Sequence, residues 1–170
     1  MTVLARISVG VIVERQKAAS AWIDFLWRPV AVLPGEPEAR PWTILSSDGN
    51  ATRFYAGSAE MELHRSETAH YLSNLTSGAP SIWVTLRRSD GEMPYRLFAV
   101  TADPTEGESF AEAGDDIVEA LPMPEPIRDL LAAFVAEHHV EREFVKRQRD
   151  RADPERMARQ AVRREEDGGT

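Results

Sequence analysis

Ser81-Ile82-Trp83-Val84-Thr85-Leu86-Arg87, then Arg88-Ser89-Asp90-Gly91-Glu92-Met93-Pro94, then Tyr95-Arg96-Leu97-Phe98-Ala99-Val100 is the stretch whose reading decides the fold class. Ile82, Val84 and Leu86 alternate with Ser81, Trp83, Thr85 and Arg87, the period of two that marks a strand with one buried face. Tyr95, Leu97 and Ala99 alternate in the same way with Arg96, Phe98 and Val100. The linker holds Asp90-Gly91, and glycine supplies positive φ at little steric cost, so the two runs predict a β-hairpin. Upstream, Glu60, Glu62 and His64 fall opposite Met61 and Leu63, which predicts a third strand with its polar side to water. Phe54 and Tyr55, closed by Gly57, predict a fourth.

Outward from this centre, Met1 to Val13 reads as a valine-rich strand with Arg6 inside it and a polar end, Glu14-Arg15-Gln16-Lys17. Its composition fits a strand better than a signal peptide. Trp22 to Gly35 is rich in aromatic and β-branched residues and carries Pro29 and Pro34, which favours extended chain over helix. A proline-bearing loop at Glu36 to Arg40, a short strand around Trp42 to Leu45 and a turn at Asp48-Gly49 follow. Tyr71 to Leu75 is a further strand candidate, and Ser77-Gly78-Ala79-Pro80 turns the chain into the central hairpin. From Asp103 to Asp116 acidic and flexible residues alternate around Phe110, with a short helix between Glu106 and Ala113. Leu121-Pro122-Met123-Pro124-Glu125-Pro126 reads as a stiff connector. Ile127, Leu130, Leu131, Phe134, Val135 and His138 then follow helical spacing, the strongest helix signal in the chain, with continuation through Phe144 and Val145.

These elements predict an α+β domain. Its antiparallel sheet, or partly open barrel or roll, is sealed by a C-terminal amphipathic helix and followed by a charged helical tail. The expected boundaries are one β-rich domain over residues 1–146, including a packing helix at about residues 124–146, and a basic tail over 147–170, mobile or ordered by a partner. At 170 residues the chain can bury a core without staples.

Cysteine is absent, which excludes disulfides, thiol nucleophiles, iron–sulfur ligation and thiolate zinc sites, and is compatible with a cytoplasmic location. No apolar run approaches the roughly 20 residues of a membrane span. The net charge of −8 is unevenly spread, since residues 146–164 hold eight basic residues against three acidic ones. An acidic body with a basic tail suits an interaction arm. Arg147, Arg149, Arg151, Arg156 and Arg159 are its candidate contacts, with a protein rather than nucleic acid as the expected partner, because acidic residues are interleaved.

Candidate chemistry is thin. His64 with Glu62 and Glu67, and His70 nearby, offers metal-compatible donors, but no spaced metal signature accompanies them and a solvated polar face is the preferred reading. His138 and His139 cannot share one helical face; one is expected at the core edge and the other in water. No Gly-x-Ser-x-Gly elbow supports a serine nucleophile, and neither a P-loop nor a Gly-x-Gly-x-x-Gly fingerprint is present. The expectation is therefore no catalytic residue, no cofactor and no metal. Trp22, Trp42 and Trp83 are aromatic candidates for an interface, two of them partly buried. Trp83 and His64 join the tail arginines as candidate interaction residues.

Taken together, Val13-Glu14-Arg15, Trp27-Arg28-Pro29-Val30-Ala31-Val32-Leu33-Pro34-Gly35, Gly57 with Glu62-Leu63-His64-Arg65, Tyr71 with Asn74-Leu75, Pro80-Ser81-Ile82-Trp83-Val84, Leu121-Pro122-Met123-Pro124, Phe134-Val135 and His138 resemble a bacterial family known as domain of unknown function 3305. The resemblance implies a place beside molybdenum-dependent formate dehydrogenases and their assembly factors, and no known active site. The expected function is thus a non-catalytic accessory or protein-interaction module, whose partner is a formate dehydrogenase subunit or assembly factor. The competing reading is a small metal- or ligand-binding domain, or an enzyme, built on the His64 region.

Overall fold

The computed structural model describes residues 2–112 and 114–140. Met1–His139 form one compact unit and Val140–Thr170 a second, of which Val140 alone is described. The tail arginines therefore lie outside the described residues.

The architecture is α+β, with two antiparallel sheets. In the first, β1 (Val3–Lys17), β2 (Phe25–Pro34), β3 (Thr43–Ser47) and β4 (Ala51–His64) stand in the order β2-β1-β4-β3. After α1 (Thr68–Leu75) come β5 (Ser81–Arg88), β6 (Tyr95–Thr101), α2 (Pro104–Glu112) and β7 (Ile117–Pro122), and the second sheet has the order β6-β5-β7. The last described element is α3 (Glu125–His138). β6 lies beside β4 and β7 beside β2, so the two sheets enclose a common core, while β3 stands at a sheet edge with one hydrogen-bonded neighbour among the described residues.

Alternation along β1 explains the core. Val9, Val11 and Val13 are fully buried, and they meet Met61 and Leu63 from β4, Ile82, Val84 and Leu86 from β5, and Ile127, Leu131, Phe134 and Val135 from α3. Each large side chain removed from water in this way contributes about 1.5–3 kcal/mol. Pro29 and Pro34 are tolerated because β2 is an edge strand, where a missing N–H costs no ladder bond.

The central hairpin forms as its alternation predicts, with Arg88 opposite Tyr95 and Trp83 opposite Thr101. Other expectations are corrected. Phe54-Tyr55 and Glu60–His64 are one strand, not two: Ile12 pairs Tyr55 and Val11 pairs Gly57, so Ala56 is an extra residue and Gly57, at φ 125°, carries the chain past it. Tyr71–Leu75 is helix, not strand, since Thr68, Tyr71, Leu72 and Leu75 recur at helical intervals and the turn fixed by Arg65–Glu67 starts it. The connector at Leu121-Pro122 is the end of a strand, because Ile117–Pro122 pairs residue for residue with β5. Three α-helices form among the described residues: the short helix expected between Glu106 and Ala113 is α2, and α1 is the unexpected one. The helix expected to run to Val145 turns extended at His139, with φ −76° and ψ 121°.

Packing of α2 on β5 depends on Gly107, where a Cβ would overlap the Trp83 side chain. Trp83 is thereby half-buried beneath α2.

Candidate functional site

One side chain positions the most chemically loaded cluster. Buried Asn74 donates from Nδ2 to Ser81 O (2.8 Å) and Ala102 O (3.0 Å) and accepts from Ser81 N (3.0 Å), so the end of α1 is pinned where β5 begins and β6 ends. The residue after Ala102 is Asp103, and one turn back along α1 from Asn74 is His70, so the two meet.

Asp103 starts α2. Its Oδ1 accepts from Thr105 N (2.9 Å), Pro104 occupies the first helical position and Gly107 N donates to Asp103 O, as at a capped N-terminus. Thr101 Oγ1 accepts from Asp103 N and donates to Glu106 Oε2. Against this cap sits His70, whose Nδ1 lies 2.8 Å from Glu67 Oε2 and 3.1 Å from each Asp103 carboxylate oxygen. The hydrogen bond to Asp103 raises the imidazole above its ordinary value of 6.5; desolvation opposes this, and the charges of Asp103 and Glu67 add to it. Next to it, burial pushes the Tyr71 hydroxyl up to about 12, against the bond it accepts from His64 N.

Glu67, His70 and Asp103 place one nitrogen and two carboxylate oxygens within 4.8 Å of one another. Such a donor set suits a borderline or hard divalent ion. The same three groups also satisfy one another as a protonated imidazole between two carboxylates.

The expected ligands separate into two places. His64 and Glu62 do share the outer side of β4, with Nε2 3.8 Å from Glu62 Oε2, but His64 Nδ1 faces Thr2 O at 3.3 Å and the pair does not join His70 and Glu67. His138 rests on the Phe134 ring, with centroids 4.6 Å apart. His139 lies beyond the helix and pairs with Thr68 Oγ1 at 3.0 Å, so neither histidine stands free in water. Two residues had escaped the sequence reading: Asp103, whose signal was Asp followed by Pro at a helix start, and Arg15.

Arg15 had passed as part of the polar end of β1, yet the alternation of Val9, Val11 and Val13 continues through it. Its register partners are Trp27 on β2 and Thr52 on β4. The guanidinium lies over Phe25 (4.5 Å), Phe54 (5.3 Å) and Trp27 (5.6 Å). Trp27 stacks on Phe54, touches Tyr95 of the opposite sheet and takes the edge of Trp42 at 6.0 Å. Trp42 itself is held at φ 69°, a conformation that bulky side chains rarely adopt.

No curated protein matches the chain, and no solved structure does. A family pattern does match, over residues 8–148, which takes in both sheets and α3. The chain belongs to the family described as protein of unknown function (DUF3305).

Proposed function

We propose that the chain is a non-catalytic accessory module that docks onto a protein, and that this protein is a subunit or assembly factor of a molybdenum-dependent formate dehydrogenase. The observation that carries the docking reading is the set of exposed apolar side chains on the first sheet and its loops. Trp22 is 94% exposed, and Ile23 in the same loop, Leu26 on β2, and Ile44 and Leu45 on β3 are each at least half exposed. Lys17 N donates to Asn50 O, which brings the β1–β2 loop and the β3–β4 turn to one end of that sheet. Exposed tryptophan beside aliphatic residues is the composition of an interface anchor, and the free edge of β3 offers backbone donors and acceptors to an incoming strand.

The choice of partner rests on the family resemblance, and the cytoplasm is the compartment that fits it. The tail arginines Arg147, Arg149, Arg151, Arg156 and Arg159 serve in this reading as an accessory arm. Among the described residues no helix is long and apolar enough to cross a membrane. Affinity capture from the native host with the full chain, a Trp22→Ser variant and a chain cut before Arg147 tests the proposal. Capture of a formate dehydrogenase subunit or assembly factor, weakened by Trp22→Ser, is the expected result; recovery of neither protein would falsify the accessory role.

The Glu67, His70 and Asp103 cluster favours a second reading, a small divalent-ion site. Titration of the metal-free protein with zinc or manganese would then raise the melting temperature of the native chain and leave His70→Ala unmoved.

A further inference from the structure

We infer that Arg15 and Lys17, on the face of β1 that carries the aromatic cluster, bind the carboxylates of an extended acidic segment of a partner protein; the inference deepens the docking reading above and rests on it.

The first support is what Arg15 lacks. Arg6, Arg28, Arg53 and Arg87 each stand within 4.0 Å of a carboxylate, and of the six described arginines without one, Arg15 alone is not exposed. Half-buried Arg15 has no ion pair and no side-chain hydrogen bond among the described residues. Its five N–H donors are therefore unclaimed while three rings hold the guanidinium plane. A pre-oriented guanidinium loses little freedom on meeting a carboxylate, and the fork matches it bidentately.

Neighbouring side chains extend the site. Lys17 lies two residues along the same face, opposite Phe25, and is exposed without an ion pair among the described residues. Thr52 and Ser47 continue the row beyond Arg15, their hydroxyls joined at 3.2 Å. Three carboxylates stand near this end: Glu14 is held by Arg28 and Arg53, Asp48 is engaged by the N–H groups of Asn50 and Ala51, and Asp24 lies exposed in the loop before β2. On a chain of net charge −8, Arg15 and Lys17 are two cations on one face of β1 that no carboxylate pairs among the described residues. Charge complementarity selects an acidic occupant, and the exposed Trp22 and Ile23 at the same end give it an apolar flank.

Fluorescence anisotropy of the full-length protein with a fluorescein-labelled peptide of alternating glutamate and valine tests this, with a lysine–valine peptide as control. Arg15→Met keeps an apolar stem on the rings and removes every donor, and Lys17→Glu changes only an exposed position. The glutamate peptide should bind, weaken as salt rises and lose at least about tenfold in affinity in each variant, with urea unfolding confirming that the variants fold. Equal binding of the lysine peptide, no binding of the glutamate peptide, or unchanged affinity in Lys17→Glu overturns the inference. If the dehydrogenase is still captured while Arg15 and Lys17 prove indifferent, this surface fails and the docking reading stands. Binding of the peptide without capture of the dehydrogenase gives the reverse.

Discussion

Thr85 is fully buried on β5, and its hydroxyl has no hydrogen-bond partner among the described residues. An unmade bond of that kind costs about 1–3 kcal/mol, so Thr85→Val, which keeps the branched shape, should stabilise the protein by about 1 kcal/mol in urea unfolding. A lower midpoint for the variant would show that the hydroxyl is satisfied. His70 sets a pH dependence. The folded protein binds its proton more tightly than the unfolded chain does, so the stabilisation is complete below pH 6.5 and disappears as pH rises through the folded value. The stability gap between the native chain and His70→Gln should therefore narrow as pH rises from below 6.5 through the raised folded value; a gap that stays constant means the imidazole is not held as a cation. Glu67 and His70 were legible as metal-compatible residues, but their helical spacing was hidden while Tyr71–Leu75 read as a strand. Asp103 lies 33 residues from His70, and no spacing rule reaches across that interval.

Among the elements, periodicity was reliable where it ran long. The central hairpin and α3 follow from alternation and from the Ile127, Leu131, Phe134 and Val135 spacing, although Leu130, which shares the pattern, is 55% exposed. Shorter elements misled for identifiable reasons. α1 has eight residues, too few for a helix to form without tertiary support, and what holds it is Asn74 and the Tyr71 ring against Phe134. β7 was masked by the prolines that follow it, since its strand character comes from pairing with β5. Phe134 is where α3 meets α1, buried and edge-on to Tyr71. Phe134→Ala should cost about 3–5 kcal/mol, read as a lower denaturation midpoint with the slope kept. An unchanged midpoint would show that α3 packs more loosely than its burial indicates.

For the whole molecule, the α+β class was legible because a series of extended runs and one long amphipathic helix leave few ways to bury their apolar faces. The division into two sheets was not, because it depends on β6 settling beside β4 and β7 beside β2, contacts remote in sequence. Among the described residues the core cluster runs from Ile7 to Val135. The order of elements has a further effect during translation. Val9, Val11 and Val13 are made before the strands that cover them, and the helix that completes their shelter is the last described element. A ribosome adding about 5–20 residues per second leaves that valine ridge waiting on the order of ten seconds, a window in which a nascent-chain chaperone would find it bare.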